Sequence, residues 1–229
     1  MNRTAIVTGG SRGLGRAVAA DLAAHGWTVV VDGRDEAALA AAAEAVGTHP
    51  VAGDVTDPRH RAALVARAHA LGGRVDLLVN NAGGLGPSPL PPLADLRPAA
   101  LAELLQVNVL APLALAQLAL PHLRAADGAV VSVTSDAAVE AYPGWGGYGT
   151  TKAALEAWTR VLAVEEPALA VWSLDPGDLR TRMHQEAFPG EDISDRPEPE
   201  AVAPAVRLLV SRRPASGRVR AAELLAAAE

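Results

Sequence analysis

Lys152 is the only lysine among 20 lysine and arginine residues, and Tyr148, four positions earlier, is one of only two tyrosines. Residues four apart share a helix face, so a Tyr148 hydroxyl and a Lys152 ammonium come close together. A phenol titrates near ~10, too high for an efficient base at neutral pH. A neighbouring ammonium favours the phenolate and brings it toward the range where it exchanges a proton with an alcohol or ketone. Arginine would serve less well at 152, being bulkier and unable to release a proton. The other tyrosine, Tyr142, has no lysine partner and reads as a pocket wall.

A second pattern handles anions. Thr8-Gly9-Gly10-Ser11-Arg12-Gly13-Leu14-Gly15 has the spacing G-x-x-x-G-x-G and runs straight into helical periodicity. Glycines permit a tight turn and close approach of backbone to a pyrophosphate, and the helix N-terminus offers free N–H groups to it. Thr8, Gly9, Ser11, Arg12, Gly13, Leu14 and Gly15 are therefore candidate cofactor-binding residues.

The elements that must position these groups alternate. Short apolar runs fall at Ala5–Val7, Thr28–Asp32, Pro50–Ala52, Val75–Asn80, Gly128–Thr134 and Ala168–Leu174. Between them lie helical patterns at Leu14–His25, Asp35–Val46, Pro58–Leu71, Pro98–Leu123 (with a bend expected at Pro112) and Tyr148–Glu166. Uninterrupted apolar strands alternating with helices predict an α/β fold, a three-layer, doubly wound parallel sheet of Rossmann type. Gly177–Pro199 is rich in proline and charge and reads as an irregular lid. A helix resumes over Pro199–Ser211, Gly217–Ala221 suggests an edge strand, and the Ala-rich tail from about 222 to 229 is expected to fray. With no repeat or linker, residues 1–229 read as one domain.

Strand ends then suggest a cofactor. The second strand closes on Asp32-Gly33-Arg34. A carboxylate facing the adenosine ribose would favour NAD, but strand alternation turns Asp32 away, whereas Arg34 and Arg12 suit a 2′-phosphate. NADP(H) is thus preferred over NAD(H). Asp54 and Val55 are placed to meet the adenine ring, with Asp57 a helix cap.

The joint pattern resembles the short-chain dehydrogenase/reductase family. The likeness rests on Thr8-Gly9-x-x-x-Gly13-x-Gly15, Asp54, Asn80-Asn81-Ala82-Gly83, Asn108, Ser135, Tyr148-x-x-x-Lys152 and Pro176-Gly177, in the family's order over roughly residues 4 to 181. It implies a ketoreductase or alcohol dehydrogenase whose catalytic set is Asn108, Ser135, Tyr148 and Lys152. In it Tyr148 is the acid/base, Ser135 orients the substrate oxygen, Lys152 also holds the nicotinamide ribose, and Asn108 supports a proton relay. Ser132 and Thr134 are rivals of Ser135 but lack its thirteen-residue spacing to Tyr148. The resemblance also places Asn81, Ala82, Gly83, Pro176, Gly177, Leu179 and Thr181 on the cofactor, leaving Asp178 and Arg180 to surface or lid salt bridges. A nucleotide-sensing or scaffold protein without catalysis is the alternative, and a broken catalytic set would mark it.

The substrate pocket is expected between Gly84–Leu90, Ala137–Trp145 and the lid near Met183–Phe188, with Tyr142, Trp145 and Met183 hinting at an apolar or cyclic carbonyl or alcohol. Net charge −6 argues against nucleic acid or an anionic membrane as partner, and the absence of cysteine excludes disulfides and thiol chemistry. The six histidines show no metal spacing; His25, His49, His60, His69 and His122 read as surface or helix-end residues, and His184 lies in the lid. No stretch reads as the roughly 18 apolar residues needed to span a bilayer, and the start lacks a signal peptide's apolar run, so a soluble, cytoplasmic protein is expected. Helices Leu101–Leu123 and Tyr148–Glu166 are the expected faces of a homodimer or homotetramer, as family members often pair there.

Overall fold

A computed structural model describes residues 3–228. Seven strands form one sheet: β1 (Thr4–Val7), β2 (Thr28–Gly33), β3 (His49–Ala52), β4 (Leu77–Asn80), β5 (Ala129–Val133), β6 (Ala170–Asp175) and β7 (Gly217–Arg220). They lie in the order β3-β2-β1-β4-β5-β6-β7, and every neighbouring pair is parallel. The chain winds outward from β1 in one direction and from β4 in the other, so a crevice opens at the strands' carboxyl ends where the order reverses.

Helices cover both faces. Alternate strand residues, among them Val7, Val31, Val79, Val131 and Trp172, pack under α1 (Gly13–Ala24), α2 (Glu36–Val46), α8 (Pro199–Val202), α9 (Pro204–Arg212) and α10 (Ala221–Ala226). Ile6, Val30, Leu78, Val130 and Val171 face α3 (Pro58–Gly72), α5 (Ala111–Ala125) and α6 (Gly146–Glu165). On this second face the strands turn polar toward their carboxyl ends, with Asn80, Ser132, Thr134, Ser173 and Asp175 all buried. The architecture is the expected Rossmann-type sheet.

Several expectations need correction. The helix irregularity is a π turn over Gln106–Leu110, between α4 (Pro98–Leu105) and α5, just before Pro112. Proline has no N–H to return to the carbonyl of Asn108 four residues back, and the helix widens ahead of it. The expected irregular segment contains α7 (Arg182–Ala187), capped by Thr181 Oγ1 on the His184 N–H at 3.2 Å. Of the tail expected to fray, the part to Ala226 belongs to α10, where Ala221 is fully buried and Leu224 and Leu225 pack on the core; residue 229 lies outside the described residues. His60 is buried rather than at the surface, held by Asp32.

The expectation about apolar runs also fails. Pro98–Ala125 is long and apolar enough, by length and composition alone, to cross a membrane. Its inner face supplies Leu115, Ala116, Ala119 and Leu123 to the core, while Leu110 and Leu118 stay exposed on the outside. Two apolar faces on one helix account for that composition.

Candidate active site

One cleft of about 1540 Å³ runs along the carboxyl edge of the sheet from Arg34 to Phe188. A single-ligand pocket usually takes ~300–1,000 Å³, so this one has room for two ligands in line.

At one end the turn after β1 is built from backbone. Gly9 and Gly13 hold φ of +72° and +54°, a left-handed conformation that glycine adopts without strain. Arg12 precedes α1 in extended conformation with no side-chain cap, which leaves the first N–H groups of α1 without an internal partner. Thr8 Oγ1 accepts from the N–H groups of Asn81 and Ala82 at 3.0 and 2.9 Å, and Asn81 Nδ2 donates to the Thr8 carbonyl at 2.8 Å. Thr8 thereby pins the β1 turn to the β4 turn and does not line the cleft, nor does Gly15. A Cβ on Gly15 would stand 2.3 Å from the Gly9 carbonyl oxygen, so that glycine permits close packing of helix on turn. Gly9, Ser11, Arg12, Gly13 and Leu14 do line the cleft.

Asp32 is turned inward. Its Oδ1 accepts from Gly9 N–H at 2.6 Å and its Oδ2 lies 3.1 Å from His60 Nε2. The carboxylate is spent on bracing the turn, and Asp32 borders the cleft together with Gly33 and Arg34. Arg12, Arg34 and also Arg16, which the sequence reading passed over, reach the same rim. Asp54 and Val55 follow; burial raises the Asp54 pKa, but hydrogen bonds from Thr56 and the positive charge of Arg34 outweigh it and hold the carboxyl below its usual range. Asp57 caps α3 through Arg59 N–H, as expected.

At the other end Tyr148 and Lys152 lie on the buried face of α6, 8% and 5% exposed. Lys152 Nζ donates to the Val133 carbonyl at 2.8 Å and sits 5.4 Å from the centre of the Tyr148 ring. Burial pushes Lys152 down to about 8. Burial, with the charges of Asp136 and Asp175, pushes the Tyr148 phenol above its ordinary value. The expected lowering of the phenol by the ammonium is therefore not what this site produces, because desolvation dominates both groups.

Asn108 sits behind this pair and outside the cleft. Its side chain accepts from Gly84 N–H at 2.8 Å and donates to the Gly84 carbonyl and to Thr151 Oγ1, both at 2.9 Å. Ser135 lines the cleft with its hydroxyl turned onto Asp136 Oδ1 at 2.9 Å. Its rivals point elsewhere: Ser132 contacts Thr159 Oγ1 at 3.3 Å, and Thr134 donates to Glu156 at 2.7 Å.

The far wall is apolar. Trp145 meets Tyr148 edge-on at 5.6 Å and Phe188 at 5.9 Å, with Met183, Leu85, Leu90 and Ala187 completing the cluster. His184 stacks on Phe188 at 4.9 Å and also borders the cleft. Tyr142 lines the rim and donates to Asp136 at 3.0 Å. Asn81, Ala82, Gly83, Pro176, Gly177, Leu179 and Thr181 line the wall between the two ends. Arg180 pairs with Glu198, and Asp178 lies 3.8 Å from both His184 and Arg196, the surface bridging expected of them. Among the described residues no group of three or more histidine and acidic side chains could hold a metal ion.

Comparison with known proteins agrees with this geometry. Residues 3–192 match the short chain dehydrogenase family. An L-fucose dehydrogenase of Mus musculus is 35% identical over 187 residues, 80% of this chain and 68% of that protein. Among solved structures, a short chain dehydrogenase from Salmonella enterica serovar Typhi superposes with a TM-score of 0.89 at 32% identity, covering 96% of each chain. Another from Shigella flexneri, complexed with NADP, gives a TM-score of 0.87 at 31% identity over 97% of this chain and 98% of its own. On sheet order, cleft and sequence alike, the chain belongs to the short chain dehydrogenase family and is an oxidoreductase of that family.

Proposed function

We propose that the protein is an NADP(H)-dependent oxidoreductase that interconverts a ketone and a secondary alcohol. The observation that carries this reading is the buried Tyr148–Lys152 pair at the floor of a cleft that ends in a glycine-built anion cradle. The residues suit the cofactor: the first N–H groups of α1 have no cap and would take a pyrophosphate, and the exposed Arg12 and Arg34 at the cleft rim would take a 2′-phosphate. When bound, the nicotinamide supplies or takes up the hydride.

The side chains do the rest. In reduction the Tyr148 hydroxyl, held protonated by its burial, would give its proton to the carbonyl oxygen, the tyrosine O–H bond breaking as the alcohol O–H bond forms. The Ser135 hydroxyl swings from Asp136 to hold that oxygen. Lys152 spends one of its three N–H donors on Val133 and keeps two for ribose hydroxyls and for restoring the Tyr148 proton. Asn108 fixes the floor by tying Gly84 to Thr151, the residue before Lys152. Asn81, Ala82, Gly83, Pro176, Gly177, Leu179 and Thr181 are assigned to the cofactor's nicotinamide half.

The substrate is read as partly apolar, because Trp145, Met183 and Phe188 wall the pocket beside Tyr148. Exposed Leu110 and Leu118 on one long helix and Val161 and Val164 on α6 support a homo-oligomer formed through these faces. A panel of ketones and secondary alcohols, followed at the nicotinamide absorbance band with each cofactor, tests the reading. Turnover of ketones with NADPH is expected, and no turnover of any carbonyl or alcohol with either cofactor would overturn it.

A further inference from the structure

Beneath the cleft lies a charge cluster that the proposed reaction does not use. Arg218, on the edge strand β7, reaches across the sheet's polar end. Its Nη1 and Nη2 donate to the Ser135 carbonyl at 3.3 and 3.2 Å, and Nη2 donates to Asp175 Oδ2 at 2.7 Å. Its Nη1 also pairs with Glu156 Oε1, which accepts from Thr134 Oγ1 as well. Asp175 Oδ1 in turn accepts from Gly177 N–H at 3.0 Å. Glu156 and Asp175 are almost wholly buried, whereas the arginine is only partly so. One cation thus serves two buried carboxylates from two elements and a backbone carbonyl from a third.

Each partner leads to a different part of the site. Ser135 would hold the substrate oxygen. Glu156 lies four residues after Lys152, on the same face of α6. Asp175 holds the Pro176–Gly177 turn. Arg218 itself does not line the cleft. We propose that Arg218 is a positioning residue, a clamp from the last strand that fixes Ser135, the Tyr148–Lys152 helix and the Pro176–Gly177 turn relative to one another. The proposal rests on the reaction proposed above. A guanidinium suits this place because its planar fork presents several donors at fixed angles, whereas a lysine offers one compact charge. A shift of ~1 Å between reacting groups costs on the order of 100-fold in rate, so a clamp of this kind is felt in turnover.

The lone lysine supplies a readout that needs no substrate. Protein grown with isotope-labelled lysine gives one side-chain signal, that of Lys152, whose titration nuclear magnetic resonance follows directly. Tyr148 and Glu156 lie one turn to either side of it on α6, Asp136 beyond β5 and Asp175 on β6 act on Tyr148 through their charge, and Arg218 on β7 binds Glu156 and Asp175. In Arg218→Met the two carboxylates lose their counter-charge, and the Lys152 midpoint is expected to rise by about one unit. With a ketone from the panel, kcat should fall roughly tenfold or more while KM changes little.

Two further variants separate geometry from charge. Arg218→Met combined with Glu156→Gln and Asp175→Asn removes the buried charges together; the Lys152 midpoint should return while kcat stays low. Arg218→Lys keeps the charge and should keep the midpoint, with only partial kcat; it provides the comparison if Arg218→Met does not fold. Wild-type midpoint and kcat in Arg218→Met, or full kcat in the charge-free triple variant, would overturn the clamp. If the wild type reduces no carbonyl, the proposed reaction falls separately. The Lys152 midpoint then decides alone: a rise supports the link from Arg218 to the site, and no rise ends it.

Discussion

The two ends of the cleft are made of different material. The end near Arg34 is backbone: left-handed glycines, uncapped N–H groups, and exposed arginines at the rim. The end near Tyr148 is side chain: a buried phenol and ammonium backed by Asn108, Glu156, Asp175 and Arg218. Backbone can hold a polyanion because many weak donors converge without burying a charge. Moving a proton at a chosen atom requires a titratable group taken out of water, and that group then needs partners. The first end should therefore fail through sterics and the second through charge and chemistry.

The largest difference is expected from Tyr148→Phe. The ring and its contact with Trp145 remain, and only the proton is lost. Ketone reduction should fall by about 10³-fold, a loss typical of a removed acid/base group, while NADPH affinity, measured by fluorescence, stays close to wild type. Equal loss of both would mean that the two ends are not separable in this way.

At the glycine end the matching test is Gly15→Ala. The added methyl meets the Gly9 carbonyl oxygen at 2.3 Å and Asn81 Nδ2 at 2.4 Å, so the turn and the helix must part. Denaturant unfolding should show a loss of about 3 kcal/mol, with cofactor affinity falling along with it. Gly26 provides the control. A Cβ there meets nothing within 4 Å, and Gly26→Ala should cost only about 1 kcal/mol, through its φ of +80°.

The contrast also explains what was legible in the sequence. Glycine spacing, apolar strands and the Tyr148–Lys152 interval are local signals, and from them follow the sheet, the crevice and the chemical pair. Boundaries shift slightly: β3 begins at His49, β4 at Leu77 and α6 at Gly146, two residues ahead of the tyrosine. The clamp was not legible. Arg218 meets Glu156 across 62 positions and Asp175 across 43, and no periodicity connects them. A weak signal existed, since Arg218 pairs in register with Ser173 on a strand whose neighbouring residues on that face are polar. The burial of His60 escapes the sequence for the same reason: His60 is on α3, and its partner Asp32 lies 28 residues away on β2.

Lys152 tests the buried end by pH. Its folded pKa of about 8 lies below the unfolded value of 10.5, so between these the unfolded chain binds the extra proton and stability rises with pH. From about pH 7 to about pH 9.5 the gain should be about 2 kcal/mol. Tyr148 has the opposite sign: its raised pKa holds the proton in the folded state, and its contribution is lost only above pH ~10. Denaturation curves of Lys152→Met should lack the rise. A rise that persists in that variant would assign it to other groups.

The smallest effect belongs to the open end. Arg34 is exposed at the rim, where water and salt weaken any contact with phosphate. Arg34→Ser should weaken NADPH binding about tenfold and leave NADH nearly unaffected, because only the former carries the 2′-phosphate. The NADPH preference should shrink as salt rises in the wild type and be less salt-sensitive in the variant. A wild type that uses both cofactors equally would remove the role given to Arg34 and Arg12. The glycine cradle would then bind only what the two cofactors share, the pyrophosphate, and the catalytic end would be unchanged, since no group around Tyr148 depends on Arg34.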